Sequence, residues 1–402
     1  MRLLFLLSQS LDYPSGLGRY WPLAKELAHL GHQVTMLCLH PDFAACSPRV
    51  FDRQGVHVEY VAQMHVRGSG SERHYYPPWA LPLVAGRGLA ALAWALSRQR
   101  PDACHIAKAQ PTNGLATLAR PDWWQRRLVY LDCDDYEAGS NNFQSAWQRR
   151  VVATVEDAIA RRARAVTTNT AFTVSRLCAL GIPGERILFV PNGVDRERVR
   201  ALPPDLPSHL REQYSFAGKP LLAYVGSLSL ANHAVDLLLR AFATAHAQRP
   251  DLRLALVGGG EDFHSLQALT ADLGVAAAVR FIGRVNPIEA LGWLAAADLA
   301  VDPANDDQAH RGRAPLKIVE AMAVGTAVLT SDVGGRPDTI GGDQAGFLAP
   351  AGDGNALAAA ILAAFADSDS LRQKGRIARE LAEPYYWDQL VQQFLSVYTL
   401  AQ

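Results

Sequence analysis

Hydrophobic positions along this chain fall into short dense runs, separated by longer stretches in which apolar residues recur every three or four places. The runs at 2–7, 34–39, 56–62, 103–107, 128–132 and 165–168 are too brief for helices and read as strands buried on both faces. Helical periods lie between them. Leu23, Leu27 and Leu30 make one apolar face, closed by Gly31, and 88–96 lies in another, more apolar helix. The alternation resumes with strands at 220–226, from 252, at 279–285, 299–301 and 327–330, and with helices over 234–246 and 316–324. Strands and helices taking turns in this way predict parallel sheets covered by helices, an α/β architecture.

A break in the pattern near Asp195, followed by the three prolines of ALPPDLPSHL, divides the chain into two domains, each long enough to bury its own core. The segment after 383 carries Leu390, Phe394 and Val397 at helical spacing, led in by Tyr385, Tyr386 and Trp387.

Composition narrows the class. The 402 residues include 39 basic and 39 acidic ones, so the balance excludes a general nucleic-acid binder. Five cysteines, Cys38, Cys46, Cys104, Cys133 and Cys178, are odd in number and form no CxxC, which fits a reducing compartment better than disulfides or zinc. The apolar start, Leu3 to Leu7, leads into a glycine loop and reads as a strand, not a signal peptide. No run approaches the ~18 apolar residues of a bilayer span, so a cytoplasmic protein is expected, soluble or peripheral to a membrane.

The densest chemistry lies in 297–335. Pro315 stands at the first position of the helix 316–324, the loop feeding it carries Arg311 and Arg313, and Lys317 and Glu320 sit three residues apart on its polar face. A helix start is positive and rich in unpaired N–H groups, and with these cations it suits a phosphate. Glu320, one turn in, could accept hydrogen bonds from the hydroxyls of a ribose or sugar. Together these features suggest a nucleotide sugar. An ordinary exposed Lys–Glu pair beside a solvated loop would use the same residues.

Other candidates lie at strand ends. Gly226 closes one strand, and Gly258, Gly259 and Gly260 close another, where a backbone without side chains admits a nucleotide. Gly16 and Gly18 occupy the turn after the first strand, but the spacing GLGR is not GxGxxG, and no acidic residue closes the second strand, so a nicotinamide site is disfavoured. His105, Lys108 and the cluster Asp132, Asp134, Asp135 and Glu137 sit at strand ends in the first domain. Those aspartates could face a sugar, hold a metal as hard oxygen ligands, or simply cap a loop. The loop 65–80, with Tyr75, Tyr76 and Trp79, and the following helix flanked by Arg87, Arg98 and Arg100 suit a membrane surface or lipid-linked acceptor as well as packing on the sheet.

The run PLKIVEAMAVGTAVLTSDVGG, 315–335, resembles the donor-site segment of the family 4 retaining glycosyltransferases, and PNGVD, 191–195, resembles the phrase that closes their first domain. The resemblance implies the GT-B fold, two Rossmann-like domains with parallel sheets facing across a cleft. Residues 1–196 would bind the acceptor, 197–383 the donor, and 384–402 would form a helix crossing back to the first domain. The implied reaction moves a sugar from a nucleotide diphosphate sugar to an acceptor hydroxyl with retention, the acceptor being a cell-envelope glycan, a polysaccharide or a lipid-linked sugar, with no metal cofactor.

Carried over by position, Arg311, Arg313 and Lys317 would neutralise the diphosphate and Glu320 would grip hydroxyls. Gly226, Gly258 and Gly259 would line the nucleotide, while Gly16, Gly18 and Arg19 approach the diphosphate or sugar. Asp132, standing where the family commonly has a histidine, or Asp134 would face the sugar. The chain departs from the pattern at Ser227 and Asn232, where Arg and Lys are usual, and at Gly312, where the first glutamate of Glu-x7-Glu belongs. Either Arg311, Arg313 and Lys317 supply the missing charge, or the protein binds a nucleotide sugar without turnover. A nucleotide-sugar epimerase would share the same arrangement.

Overall fold

Residues 1–193 with 387–402 form one compact unit, and 194–386 another. The computed structural model describes all residues except 14–15, 69–73, 78, 135, 141–142, 144, 232 and 401–402, and leaves the side chains of Tyr75 and Ser140 undescribed.

In the first unit, β1 (Arg2–Leu7), β2 (Gln33–His40), β3 (Val50–Arg53), β4 (Val56–Gln63), β7 (Ala103–Ala107), β8 (Val129–Cys133), β9 (Val166–Thr168) and β10 (Ile187–Phe189) build one sheet. Two further strands, β5 (Val66–Arg67) and β6 (His74–Tyr75), form a separate pair. The sheet order is β10-β9-β8-β7-β1-β2-β4-β3, parallel except for β3 against β4. Its order reverses between β1 and β7.

Both faces are covered, which is why the strand runs show no polar alternation. Leu3, Phe5 and Leu7 enter one core and Leu4 and Leu6 the other. The helix Trp21–His29 buries Leu23 and Leu27 in the first of these, whereas Leu30 is its exposed C-cap; the turn at Gly31, with φ of 85°, ends the face one residue earlier than the periodicity suggests. The closing helix Trp387–Leu395 packs Trp387, Leu390, Val391 and Phe394 onto the same core, and Trp387 Nε1 donates to Gly18 O at 2.9 Å.

The second unit is a six-stranded parallel sheet of β11 (Leu221–Val225), β12 (Arg253–Val257), β13 (Val279–Gly283), β14 (Leu299–Asp302), β15 (Ala327–Asp332) and β16 (Gly346–Pro350). Its order β13-β12-β11-β14-β15-β16 is that of a dinucleotide-binding fold, reversing between β11 and β14. The helix Leu316–Ala323 starts one residue after Pro315, which is its N-cap, and anchors itself with Ile318, Val319 and Met322 in the core. Burial of such side chains contributes about 1.5–3 kcal/mol each, enough to fix the helix start against the sheet. Among the described residues, no helix is long and apolar enough to cross a membrane.

Candidate functional site

A reversal of strand order leaves a crevice at the carboxyl ends of the two strands that flank it. In the second unit those strands are β11 and β14; Gly226 follows the first and Asp302 ends the second. Asp302 is 2% exposed, and each of its oxygens holds a cation: Oδ1 accepts from Lys317 Nζ at 2.9 Å and Oδ2 from Arg336 Nε at 2.8 Å. Arg336, also 2% exposed, donates through its other arm to His310 O at 2.8 Å. The Lys317 ammonium lies 4.2 Å from the centre of the Tyr224 ring, a favourable place for a cation over an aromatic face.

Burial opposes charge on Asp302 and Lys317, and the attraction of their neighbours outweighs it. Desolvation would raise the Asp302 carboxyl, yet Lys317 and Arg336 hold it well below the usual carboxylate range. Desolvation would likewise lower Lys317, but Asp302 and Tyr224 keep its ammonium above its ordinary value. The cluster therefore keeps two buried cations against one carboxylate. One positive charge is thereby left over beside the switch point.

The glycines make room for this cluster. A Cβ on Gly226 would come within 3.0 Å of Lys317 Cε, and one on Gly258, whose φ is 140°, would lie 1.8 Å from Gly226 O. Gly259 is similarly pressed by the Arg284 side chain at 3.1 Å. Backbone thus packs against backbone at the ends of β11 and β12, with Lys317 lying alongside.

Lys317 and Glu320 do not pair with each other, so the exposed helix pair is not what the fold builds. Glu320 Oε1 accepts from Arg198, and its Oε2 makes no hydrogen bond among the described residues. Arg313 lies half-buried with a guanidinium nitrogen 3.3 Å from His233 Nε2. Burial, with Arg313 and Lys317 nearby, pushes His233 well down, so its ring is neutral. His310 is buried; its Nδ1 faces Asp307 at 2.9 Å and its Nε2 has no hydrogen-bond partner among the described residues. Arg311 is not gathered with them: it is half-exposed and holds Asp306 bidentately at 2.6 and 2.9 Å, so its charge is already answered at the surface. Asn232 lies outside the described residues.

In the first unit the corresponding reversal lies between β1 and β7. Arg19, 1% exposed, grips both oxygens of Asp132 at 2.7 Å, and Thr167 donates to Asp132 as well. The remaining Arg19 nitrogen reaches Val190 O at 3.2 Å and Asn192 Oδ1 at 3.1 Å. Desolvation would raise the Asp132 carboxyl, but Arg19 holds it below its ordinary value. Expected at the sugar and the diphosphate, these two side chains are instead taken up by one another, because neither charge could be buried alone.

Asp134 meets Lys108, whose Nζ lies 3.2 Å from Asp134 Oδ1 and 3.2 Å from Glu137 Oε1, with Gln110 donating to Glu137 Oε2 at 3.0 Å. Lys108 adopts φ of 61°, a left-handed conformation rare for lysine and of the kind stored at functional sites. Asp135 lies outside the described residues. Among the described residues no group of three or more His, Cys, Asp or Glu is placed to hold a metal ion. His105 is fully buried and stacked between Phe5 and Tyr130, and desolvation pushes it down to about 3. Gly16 has Leu11 O and Ser10 O within 2.7 Å of where a Cβ would stand, so its own loop closes over it.

Sequence reasoning missed Asp302, Arg336 and Arg198. An acidic residue ending a buried strand was a usable signal for Asp302. Nothing local marks Arg336 or Arg198, whose partners lie 34 and 122 residues away.

Residues 15–193 match a family model described as glycosyl transferase 4-like domain, and 219–367 one described as glycosyl transferases group 1. Among curated relatives, a GDP-mannose-dependent alpha-(1-6)-phosphatidylinositol monomannoside mannosyltransferase of Mycolicibacterium smegmatis is 30% identical over 61% of this chain and 64% of its own. A D-inositol 3-phosphate glycosyltransferase of Streptomyces avermitilis is 32% identical over 54% and 47%. The matches thus span about half to two thirds of those relatives. Among solved structures, sucrose-phosphate synthase from Thermosynechococcus elongatus superposes with a TM-score of 0.76 at 21% identity, covering 99% of this chain and 98% of that one. Anabaena HepE in complex with UDP-glucose gives 0.71 at 20%, over 98% and 100%. At such identity the likeness speaks for the fold, which is GT-B.

Proposed function

We propose that this chain, a member of the group 1 glycosyltransferases, transfers a hexosyl group from a nucleoside diphosphate sugar to an acceptor hydroxyl with retention of configuration. The observation that carries the reading is the Asp302 cluster: Lys317 and Arg336 stay charged and buried at the switch point because one carboxylate grips both. They are arranged before any donor arrives, so they meet the charge that grows on the departing diphosphate without reorganising. Arg313 adds a third cation beside them, and the three take the part that a metal would otherwise play.

Glu320 Oε2 is free for a hydroxyl while Arg198 fixes the other oxygen. Arg311, Arg19 and Asp132 drop out of the proposed machinery, their charges being already matched. Lys108, Asp134 and Glu137 remain as the first unit's polar group at its own switch point, where the acceptor or the transferred sugar would be held. The hexose follows the relatives, one GDP-mannose-dependent and one solved with UDP-glucose, and retention follows the resemblance of 315–335. The acceptor class proposed is a glycan or lipid-linked sugar.

A panel of nucleotide sugars, assayed for released nucleotide with and without acceptors, tests the reading. Wild type is expected to turn over at least one donor, and Lys317→Ala and Glu320→Gln to lose donor affinity and turnover while staying folded by circular dichroism. Saturable donor binding without nucleotide release would leave a silent binder. Product formed from the donor alone with its nucleotide still attached would indicate an epimerase.

A further inference from the structure

A pocket lined by four arginines lies at the opposite end of the first unit's sheet. Arg2 opens β1, Arg100 leads into β7, and Arg120 and Arg126 flank the short helix Pro121–Gln125 that feeds β8. All four line one pocket of about 380 Å³, together with Asp122 and the edge of Trp123. That volume is within the range of small-ligand sites, roughly 300–1,000 Å³. The strands it touches run five residues or so from there to Lys108 and Asp132. At about 3.3 Å per residue this sets the pocket some 16 Å from the unit's candidate site.

The four arginines face two carboxylates. Arg2 binds Asp102 at 2.9 Å, and Arg120 binds Asp122 bidentately at 3.0 and 2.9 Å. Arg120 is also fixed by Leu96 O at 2.8 Å and Gln99 O at 3.0 Å, with its guanidinium 4.3 Å from the Trp123 ring centre. It forms a rigid floor. Arg100 has only the carbonyls of Ser97 and Gln99, and the Arg126 side chain has no hydrogen bond among the described residues. Among the described residues neither Arg100 nor Arg126 is ion-paired with a carboxylate, although Arg126 lies near enough to Asp122 to lower its carboxyl; in a chain of zero net charge, four arginines against two carboxylates at one pocket are a local excess, and guanidinium forks match phosphate oxygens in pairs.

We propose that this pocket binds a phosphate-bearing anion, with Arg100 and Arg126 as the gripping pair and Arg120 as the fixed floor. The site is separate from the donor crevice and does not depend on the transferase reading. The phosphate group is either that of a soluble phosphoester or that of a lipid headgroup. Trp94, Leu115 and Leu118, all exposed on segments leading into the pocket, would accompany a headgroup.

The test is calorimetric titration of inorganic pyrophosphate into the full chain at low ionic strength, with excess nucleoside diphosphate present to fill the donor site. Alongside it, the chain is sedimented with vesicles of phosphatidylcholine alone and of phosphatidylcholine with phosphatidylglycerol. In Arg100→Ala/Arg126→Ala, or in Arg126→Glu, at least one probe is expected to bind about tenfold or more weaker, with the melting temperature unchanged because these side chains are exposed. Arg372→Ala/Arg376→Ala, on an exposed helix of the other unit, should leave both probes unaffected.

Loss of pyrophosphate binding with no vesicle retention assigns a soluble phosphoester. Loss of retention on the phosphatidylglycerol vesicles, competed by pyrophosphate, assigns a headgroup. If neither probe binds, or if the pocket variants bind as wild type or no worse than the control pair, the proposal is overturned.

Discussion

Lys317 Nζ and Asp302 Oδ1 stand 2.9 Å apart, joining the start of a helix to the end of the strand fifteen residues before it. The other oxygen of Asp302 belongs to Arg336, so one carboxylate fixes two cations in place. Removing its charge should therefore cost more than removing either cation. Asp302→Asn leaves two buried charges with only a neutral partner, and a destabilisation of about 3–5 kcal/mol is expected, with loss of donor binding. Chemical denaturation alongside nucleotide titration checks both. Unchanged stability would show that the cluster is not the built feature argued here.

The Arg19–Asp132 pair makes an opposite prediction about function. Arg19→Met or Asp132→Asn alone should lower stability by about 3–5 kcal/mol, and the double replacement by apolar residues of similar volume should recover much of it. Donor affinity of any variant that remains folded should be close to wild type. A specific loss of affinity at unchanged stability would return these residues to the site.

Gly226→Ala is expected to displace Lys317, since the new methyl would press on its Cε at 3.0 Å. Donor affinity should fall about tenfold or more while stability changes by roughly 1 kcal/mol, as the lysine tip can move but its alignment is lost. Gly258→Ala should be far worse and fail to fold, because its Cβ would sit inside the Gly226 carbonyl. Expression and thermal melting separate the two.

Glu156 supplies a pH dependence. It is buried, and desolvation pushes it up to about 8, against the pull of Arg176 at 3.4 Å, with Glu137 and Asp157 adding repulsion. The folded state then holds a proton that the unfolded chain releases near pH 4.3, so this contribution to stability is complete below that value and is lost as pH rises toward 8. Thermal melts from pH 5 to 9 should show the decline, and Glu156→Gln should flatten it and melt higher than wild type at pH 8.5. A wild-type curve that rises over this interval, unaltered by the substitution, would contradict the assignment.

Much of the architecture was written in local pattern. Apolar runs of five or six residues such as 2–7 and 103–107 could bury both faces only inside parallel sheets, and the helix after Pro315 was marked by its own cap and apolar stripe. The antiparallel β3 was not legible, since Val50–Arg53 is half-polar and becomes a strand only by pairing with β4.

The sequence alone also placed the cations Arg313 and Lys317 and the hydroxyl-binding candidate Glu320 at one helix start, because position relative to a helix terminus is a property of neighbours in the chain. Which charges are free to act was decided only by the tertiary structure. Arg311 and Arg313, two residues apart, go respectively to a surface aspartate and to a half-buried histidine. Asp132, on the second strand beyond the first unit's reversal, is taken up by Arg19 and Thr167, whereas Asp302, ending the first strand beyond the second unit's reversal, holds two cations and leaves positive charge over. A carboxylate's partners come from wherever the fold brings a guanidinium, here from 113 and 34 residues away. The energy of burying a charge depends on that partner and not on the residues beside it in the chain.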